Sequence, residues 1–231
     1  MIVKACIYDF DGPINDSFRE GIRRIKILCA IHEVAFGRAE RQRLIESWGL
    51  PGVELLMQGL NITRDLAEAM YREWERMDLQ DPVPLVPSAK DVLYWMHRNG
   101  FRNCLLTTRN RQNIHDIFER VDLMRSFDIM SCRQDVEHRK PDPRAFRYVL
   151  EQLQERFGIG RDDCIFIGDT PVDIDAGKQA GIRTLVVQTG PYLLEHVLQY
   201  PMDLHDILKS LDDLPQWMEK NHDGGLEHLY D

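Results

Sequence analysis

Five short apolar runs, separated by stretches of helical periodicity, constrain this chain more than any other feature. The runs are Met1 to Tyr8, Asn103 to Thr107, Phe127 to Ser131, Cys164 to Ile167 and Thr184 to Val187. From the second run onward the intervening segments read as helices: Arg111 to Val121, Pro143 to Phe157 and Pro171 to Ala180. A further helix, Ala89 to Arg98, leads into the second run and ends at an Asn99-Gly100 stop signal. Strands that alternate with helices are joined by crossovers, and crossovers produce parallel sheets. The expected fold is therefore α/β, with a Rossmann-like parallel sheet as its core.

Between the first run and the second the rhythm is different. Ser17 and Glu20 have capping-box spacing, and Phe18, Ile22, Ile25 and Cys29 then recur at helical intervals. Amphipathic stretches follow at Ala39 to Trp48, Gly52 to Leu60 and Arg64 to Met77. The three prolines in Asp81-Pro82-Val83-Pro84-Leu85-Val86-Pro87 cannot continue a helix, so this stretch is expected to return the chain to the core. The predicted division is a core of residues 1–15 and 85–231 with a helical insert at 16–84. The tail suggests a short strand near Met202 to Ile207, a helix from Leu211 to Glu219, and a frayed end from Asn221 to Gly225.

Composition narrows the range of partners. The 29 Lys and Arg against 38 Asp and Glu leave a net charge of −9, with no long basic run, which argues against nucleic acid, a ligand bound mainly by neutralising phosphates. The 5 cysteines are widely spaced without CxxC and read as buried thiols of a reducing compartment. No leader-like or membrane-length apolar stretch is present, so a soluble, cytoplasmic protein without a membrane partner is expected. The 8 histidines show neither HxH nor HExxH spacing.

The chemistry-bearing residues collect where strands end. Asp9 and Asp11 close the first run and precede Gly12; Thr107 and Thr108 end the second; Lys140 precedes Pro141; Asp169 and Asp173 follow the fourth. In a parallel sheet these loops share one edge, so their side chains can converge. Asp9-Phe10-Asp11-Gly12, Leu106-Thr107-Thr108, Arg139-Lys140-Pro141-Asp142-Pro143 and Gly168-Asp169-Thr170-Pro171-Val172-Asp173 together resemble the four ordered motifs of the haloacid dehalogenase superfamily. The likeness extends from Met1 to about Gly190, and the helical insert resembles the small helical cap domain of its phosphoglycolate phosphatase and beta-phosphoglucomutase-like members.

The resemblance implies a Mg2+-dependent phosphatase acting on a small phosphorylated metabolite. Asp9 would be the nucleophile that forms an aspartyl-phosphate. Asp11 would protonate the leaving alcohol and then activate water, while its backbone carbonyl joins Asp9 and Asp169 as metal ligands. Thr107, the Thr108 amide and Lys140 would bind the phosphoryl oxygens or offset charge. Asp173 has capping spacing with Thr170 and is either a support for the site or a direct metal ligand. Trp48, in a Gly- and Pro-rich loop, is either helix-end packing or a substrate contact. Arg109 stands where relatives commonly have Lys, and either adds a guanidinium near the entrance or faces solvent. Pro13 and Asn15 depart from the usual pattern of the first motif. A sugar phosphomutase using the same two aspartates, or a binding protein that keeps the fold, are the competing readings; oligomeric state is not legible in the sequence.

Overall fold

The computed structural model describes residues 2–192 and 194–222. In chain order the elements are β1 (Ala5–Tyr8), α1 (Ser17–Ile31), α2 (Arg38–Glu46), α3 (Gly52–Leu60), α4 (Arg64–Gln80) and α5 (Ala89–Arg98). They continue with β2 (Arg102–Leu106), α6 (Arg111–Val121), β3 (Ile129–Ser131), α7 (Arg147–Phe157), β4 (Cys164–Gly168) and α8 (Pro171–Ala180). The last are β5 (Arg183–Val187), the single turn α9 (Leu194–Val197), β6 (Ile207–Leu208) and α10 (Leu214–Asn221). The chain divides into two compact units, Met1–Asp16 with Leu85–Asp231, and Ser17–Pro84.

The first unit is a parallel α/β sheet of order β3-β2-β1-β4-β5-β6. Strand β1 is flanked by β2 and β4, and successive strands depart from it in opposite directions. That reversal makes the carboxyl ends of β1 and β4 the point where such sheets open a crevice for ligands. Alternation along β1 sorts its side chains between two cores. Cys6 and Tyr8 join Leu93, Met96, Phe118 and Trp217 on one face, while Ala5 and Ile7 join Phe146, Val149, Leu153 and Phe166 on the other. Burial on both faces explains why these strands read as continuous apolar runs.

The second unit, α1 to α4, has its own core of Ile22, Ile25, Leu28, Leu44, Leu55, Leu56 and Met70. Arg24 is fully buried there among Glu20, Asp78 and the Asp81 carbonyl.

Several sequence expectations shift. Helix α1 begins at Ser17, and Glu20 in its first turn accepts from Arg23 and Arg24. The segment Pro143 to Phe157 starts as a 3-10 turn over Pro143–Phe146 before α7, and Leu211–Asp213 is likewise a 3-10 turn before α10. The tail strand is only Ile207–Leu208, because a 3-10 turn occupies Leu204–Asp206. Asn221 closes α10, and His222 is tied down through Nδ1, which accepts the Val3 N–H at 3.1 Å. The rest of the expected frayed end lies outside the described residues. All five cysteines are buried free thiols.

Candidate active site

Asp9 follows β1 directly, and its N–H donates to the Ile167 carbonyl at 2.9 Å, which fixes its backbone between β1 and β4. Its Oδ1 accepts from the Phe10 N–H at 2.8 Å and lies 3.0 Å from Lys140 Nζ. The same ammonium donates to Asp173 Oδ1 at 2.6 Å. Lys140 thus bridges two carboxylates from a loop that arrives between β3 and α7. The motif around it also starts a helix, since Asp142 Oδ1 accepts the Arg144 N–H at 2.9 Å with Pro143 next in sequence.

Asp173 has both of its oxygens engaged. Besides Lys140 on Oδ1, its Oδ2 accepts from Thr170 Oγ1 at 2.7 Å, Thr170 N at 3.1 Å and Asp169 N at 3.3 Å. Capping α8 and holding Lys140 are therefore one task for this residue. Asp169 is the opposite case: its Oδ1 is buried and has no hydrogen-bond partner among the described residues.

Candidate ligand oxygens of Asp9, Asp169 and Asp173 lie within 4.8 Å of one another. An all-oxygen set, three acids against one lysine and an orphaned buried oxygen suit a hard divalent cation. Both Asp173 oxygens accept from protein donors, whereas on Asp9 only Oδ1 does and Asp169 Oδ1 has no partner among the described residues, so Asp9 and Asp169 could hold such a cation with Asp173 supporting them.

The charge imbalance appears in the titration of the site. Burial, opposed by Lys140 and reinforced by Asp173 and Asp11, pushes Asp9 from 3.8 up to about 7. Burial and then the charges of Asp173 and Asp9 hold Asp169 well above the usual carboxylate range. For Lys140 burial acts downward, but Asp173 and Asp9 outweigh it and keep the ammonium above its ordinary value. The lysine stays charged and the two acids resist ionising without a cation.

Two glycines let the backbone close around Asp169. A Cβ on Gly190 would stand 1.9 Å from Asp169 Oδ2, and one on Gly12 would stand 2.2 Å from its Cγ. Gly12 also has φ of +102°, a conformation that side chains rarely accept. Thr189 Oγ1 donates to the Gly12 carbonyl at 2.8 Å, tying the loop after β5 to the loop after β1. Sequence reasoning passed over Thr189 and Gly190. Their signal was a hydroxyl residue and a glycine just after a strand, the same pattern that singled out Thr107.

Asp11 faces a different set of partners. Arg109 Nε donates to its Oδ2 at 2.7 Å, Arg109 Nη2 to its Oδ1 at 2.7 Å, and Asn15 Nδ2 to its Oδ1 at 3.2 Å. The guanidinium predicted to stand near the entrance is thus paired with the second aspartate. Asn15, one of the two departures from the expected motif, is buried and serves the same carboxylate. Pro13 is buried in the turn between them.

Thr107 is buried at the end of β2, where its Oγ1 accepts the Arg109 N–H at 3.1 Å; Thr108 is exposed. Trp48 packs within the helical unit, edge-on to Phe18 at 4.9 Å and over Gly21, where a Cβ would meet its ring at 2.6 Å. These contacts give it a packing role in that unit. No helix among the described residues is long and apolar enough to cross a membrane.

Residues 6–187 match the profile of the haloacid dehalogenase-like hydrolases. The chain belongs to that family, and its class of enzyme is that of a phosphatase. It is similar to the pyrophosphatase PpaX of Halalkalibacterium halodurans, 31% identical over 217 residues, which cover 93% of this chain and 96% of the relative. It is also 30% identical over 199 residues to phosphoglycolate phosphatase 1 of Pseudomonas aeruginosa, covering 81% of this chain and 70% of the relative. Among solved structures, a haloacid dehalogenase-like family hydrolase from Streptococcus pneumoniae superposes with a TM-score of 0.70 at 18% identity, over 94% of this chain and 98% of that one.

Proposed function

We propose that this chain is a Mg2+-dependent hydrolase of small phosphorylated metabolites that works through an aspartyl-phosphate on Asp9. The observation that carries the reading is the cluster of half-buried Asp9 with buried Asp169 and Asp173 around Lys140, where Asp169 Oδ1 has no hydrogen-bond partner among the described residues. Mg2+ held by Asp9, Asp169 and the Asp11 carbonyl would neutralise that cluster and polarise the phosphoryl oxygens.

Each residue then has a distinct task. Asp9, fixed at the strand end, attacks phosphorus in line with the departing oxygen. Lys140 offsets the charge of the attacking carboxylate, and Asp173 holds Lys140 in place. Thr107 and the Thr108 amide bind phosphoryl oxygens. Asp11 gives a proton to the departing oxygen and later takes one from the water that cleaves the acyl phosphate. The helical unit of residues 17–84 would be the family's cap domain, and the buried free thiols support a reducing, cytoplasmic setting. The two relatives of similar sequence, a pyrophosphatase and a phosphoglycolate phosphatase, support a small anionic substrate.

The direct test is acid quenching during turnover of an aryl phosphate, followed by mass spectrometry. A phosphoryl adduct on the peptide carrying Asp9, formed with Mg2+ and absent with EDTA, is expected. Turnover that survives EDTA, or an adduct on any other residue, would contradict the proposal.

A further inference from the structure

Both oxygens of Asp11 accept from one guanidinium, through Arg109 Nε and Nη2 at 2.7 Å each, and Asn15 adds a third donor. A planar fork on a planar carboxylate is the strongest pairing two side chains make. The fork is itself well held. Arg109 Nη1 donates to Asn113 Oδ1 at 3.2 Å in the first turn of α6, and the Phe10 ring lies 5.4 Å from the guanidinium carbon. Asn110, the next residue, caps that helix by accepting the Asn113 N–H at 2.7 Å.

A proton shuttle cannot work in this arrangement. Asp11 has to turn one oxygen toward the departing oxygen of the substrate, and both of its edges are committed to the fork. The pair must open once in every turnover. The Asp9 side already has its cation in Lys140, whereas Arg109 is held on the Asp11 side, where the leaving group departs. Some 24% of the Arg109 side chain and 31% of that of Asp11 are exposed, so an anion arriving from solvent can compete for the fork without disturbing the core.

We propose that Arg109 is a specificity-determining residue that releases Asp11 only for leaving groups carrying their own negative charge. A carboxylate or second phosphate beside the scissile oxygen takes the guanidinium, and Asp11 is freed to serve that oxygen. In the step so enabled an Asp9 oxygen forms a bond to phosphorus and the bond from phosphorus to the leaving oxygen breaks. Asp11, which leaves the fork as a carboxylate, takes a proton from solvent water and passes it to that oxygen, and Arg109 stays protonated throughout. This inference rests on the phosphatase reading and adds to it a substrate class and a residue that selects it.

The test compares 2-phosphoglycolate and pyrophosphate with 2-hydroxyethyl phosphate, a neutral analogue of the first, at saturating Mg2+. Wild type is expected to favour the charged leaving groups by about 100-fold in kcat/KM, the worth of one charge-assisted contact, with most of the difference in kcat. In Arg109→Gln the ratio collapses from both ends: the charged substrates slow, and the neutral ester speeds up because the guanidinium fork no longer ties both oxygens of Asp11. Arg109→Lys, which keeps the charge and loses the fork, recovers part of the turnover of charged substrates and retains the faster neutral one. Melting temperature and circular dichroism of the two variants establish that the fold is intact. Wild-type turnover indifferent to leaving-group charge, or variants that slow all three substrates in equal proportion, would overturn the role of Arg109 and leave the phosphatase reading standing. Wild type inert toward all three would overturn both.

Discussion

Two buried clusters of cations and carboxylates, one in each unit, have opposite balances. Around Arg24 in the helical unit, Glu20 and Asp78 supply the carboxylates and the Asp81 carbonyl takes the remaining donor, with Arg23 closing on Glu20 from outside. Around Lys140 in the sheet unit, one cation meets Asp9 and Asp173, with Asp169 alongside. The acids respond in opposite directions. Glu20 is held below its ordinary value, chiefly by its bond to Arg23, whereas burial drives Asp9 up to about 7. A neutralised cluster stabilises the fold; one with excess charge and an orphaned oxygen is a candidate ligand site.

The largest effects separate the two clusters. Asp9→Asn is expected to lower kcat by at least about 10⁴-fold, as removal of a nucleophile does elsewhere, while the metal-free protein melts at a higher temperature because one repelling charge is gone. An Asp9→Asn protein that melts lower than wild type would mean the Lys140 cluster is structural after all. Arg24→Met should behave in the reverse sense. Taking the buried Arg24 charge away from Glu20, which keeps Arg23, and from the half-buried Asp78 is expected to cost about 1–3 kcal/mol, read by chemical denaturation, and Glu20→Gln in the same chain recovers part of it. Unchanged stability in Arg24→Met would remove the contrast.

A smaller effect probes the cation site by shape alone. Gly190→Ala introduces a methyl where Asp169 Oδ2 already lies 1.9 Å away, so the carboxylate must move. Mg2+ affinity, measured by calorimetry on the unliganded protein, is expected to fall by about 10- to 100-fold, the usual cost of displacing a ligand's support. Gly160→Ala, at a glycine that like Gly190 lies outside the left-handed region and whose added methyl would have its nearest neighbour 4.0 Å away, controls for the loss of a glycine as such. Equal Mg2+ affinity in the Gly190 variant and wild type would remove Asp169 from the ligand set.

The difference between the clusters also explains what the sequence made legible. The convergence of Asp9, Lys140 and Asp169 was readable because Asp9 and Asp169 follow strand ends, Lys140 precedes a helix start, and a parallel sheet brings those loops to one edge. The pairing of Arg109 with Asp11 was not readable, because it joins loops 98 residues apart through side-chain reach that no periodicity encodes. Arg24 was hidden for the same reason: its partner Asp78 lies 54 residues away on another helix, and a charged residue on an amphipathic helix is ordinarily read as solvent-facing. Strand β6 was misplaced because two residues are too few for alternation to register. Pattern reveals what topology gathers, and it misses what single side chains reach for.

The smallest effect is a slope against pH, and its sign follows from the imbalance. Asp9 shifts from 3.8 to about 7 on folding, so between those values the folded protein binds the proton that the unfolded chain has released. The metal-free protein therefore loses stability as pH rises through that window, and the loss levels off above about 7. Asp169, also raised, acts in the same sense, whereas Lys140 remains protonated throughout the window and contributes no slope. Glu20 and Asp142, both held low, lose their contribution only below their ordinary values of 4.5 and 3.8, outside the pH 5 to 8 range of the measurement, so they do not mask it. Denaturation in EDTA is expected to show stability falling by about 1–2 kcal/mol from pH 5 to pH 8, the size of one to two tenfold shifts in a proton equilibrium. Saturating Mg2+ should flatten or reverse the slope, because the cation binds the ionised form and gains affinity as pH rises. A slope of the same sign and size with and without Mg2+ would mean that the orphaned charge of the sheet unit is not what the cation neutralises.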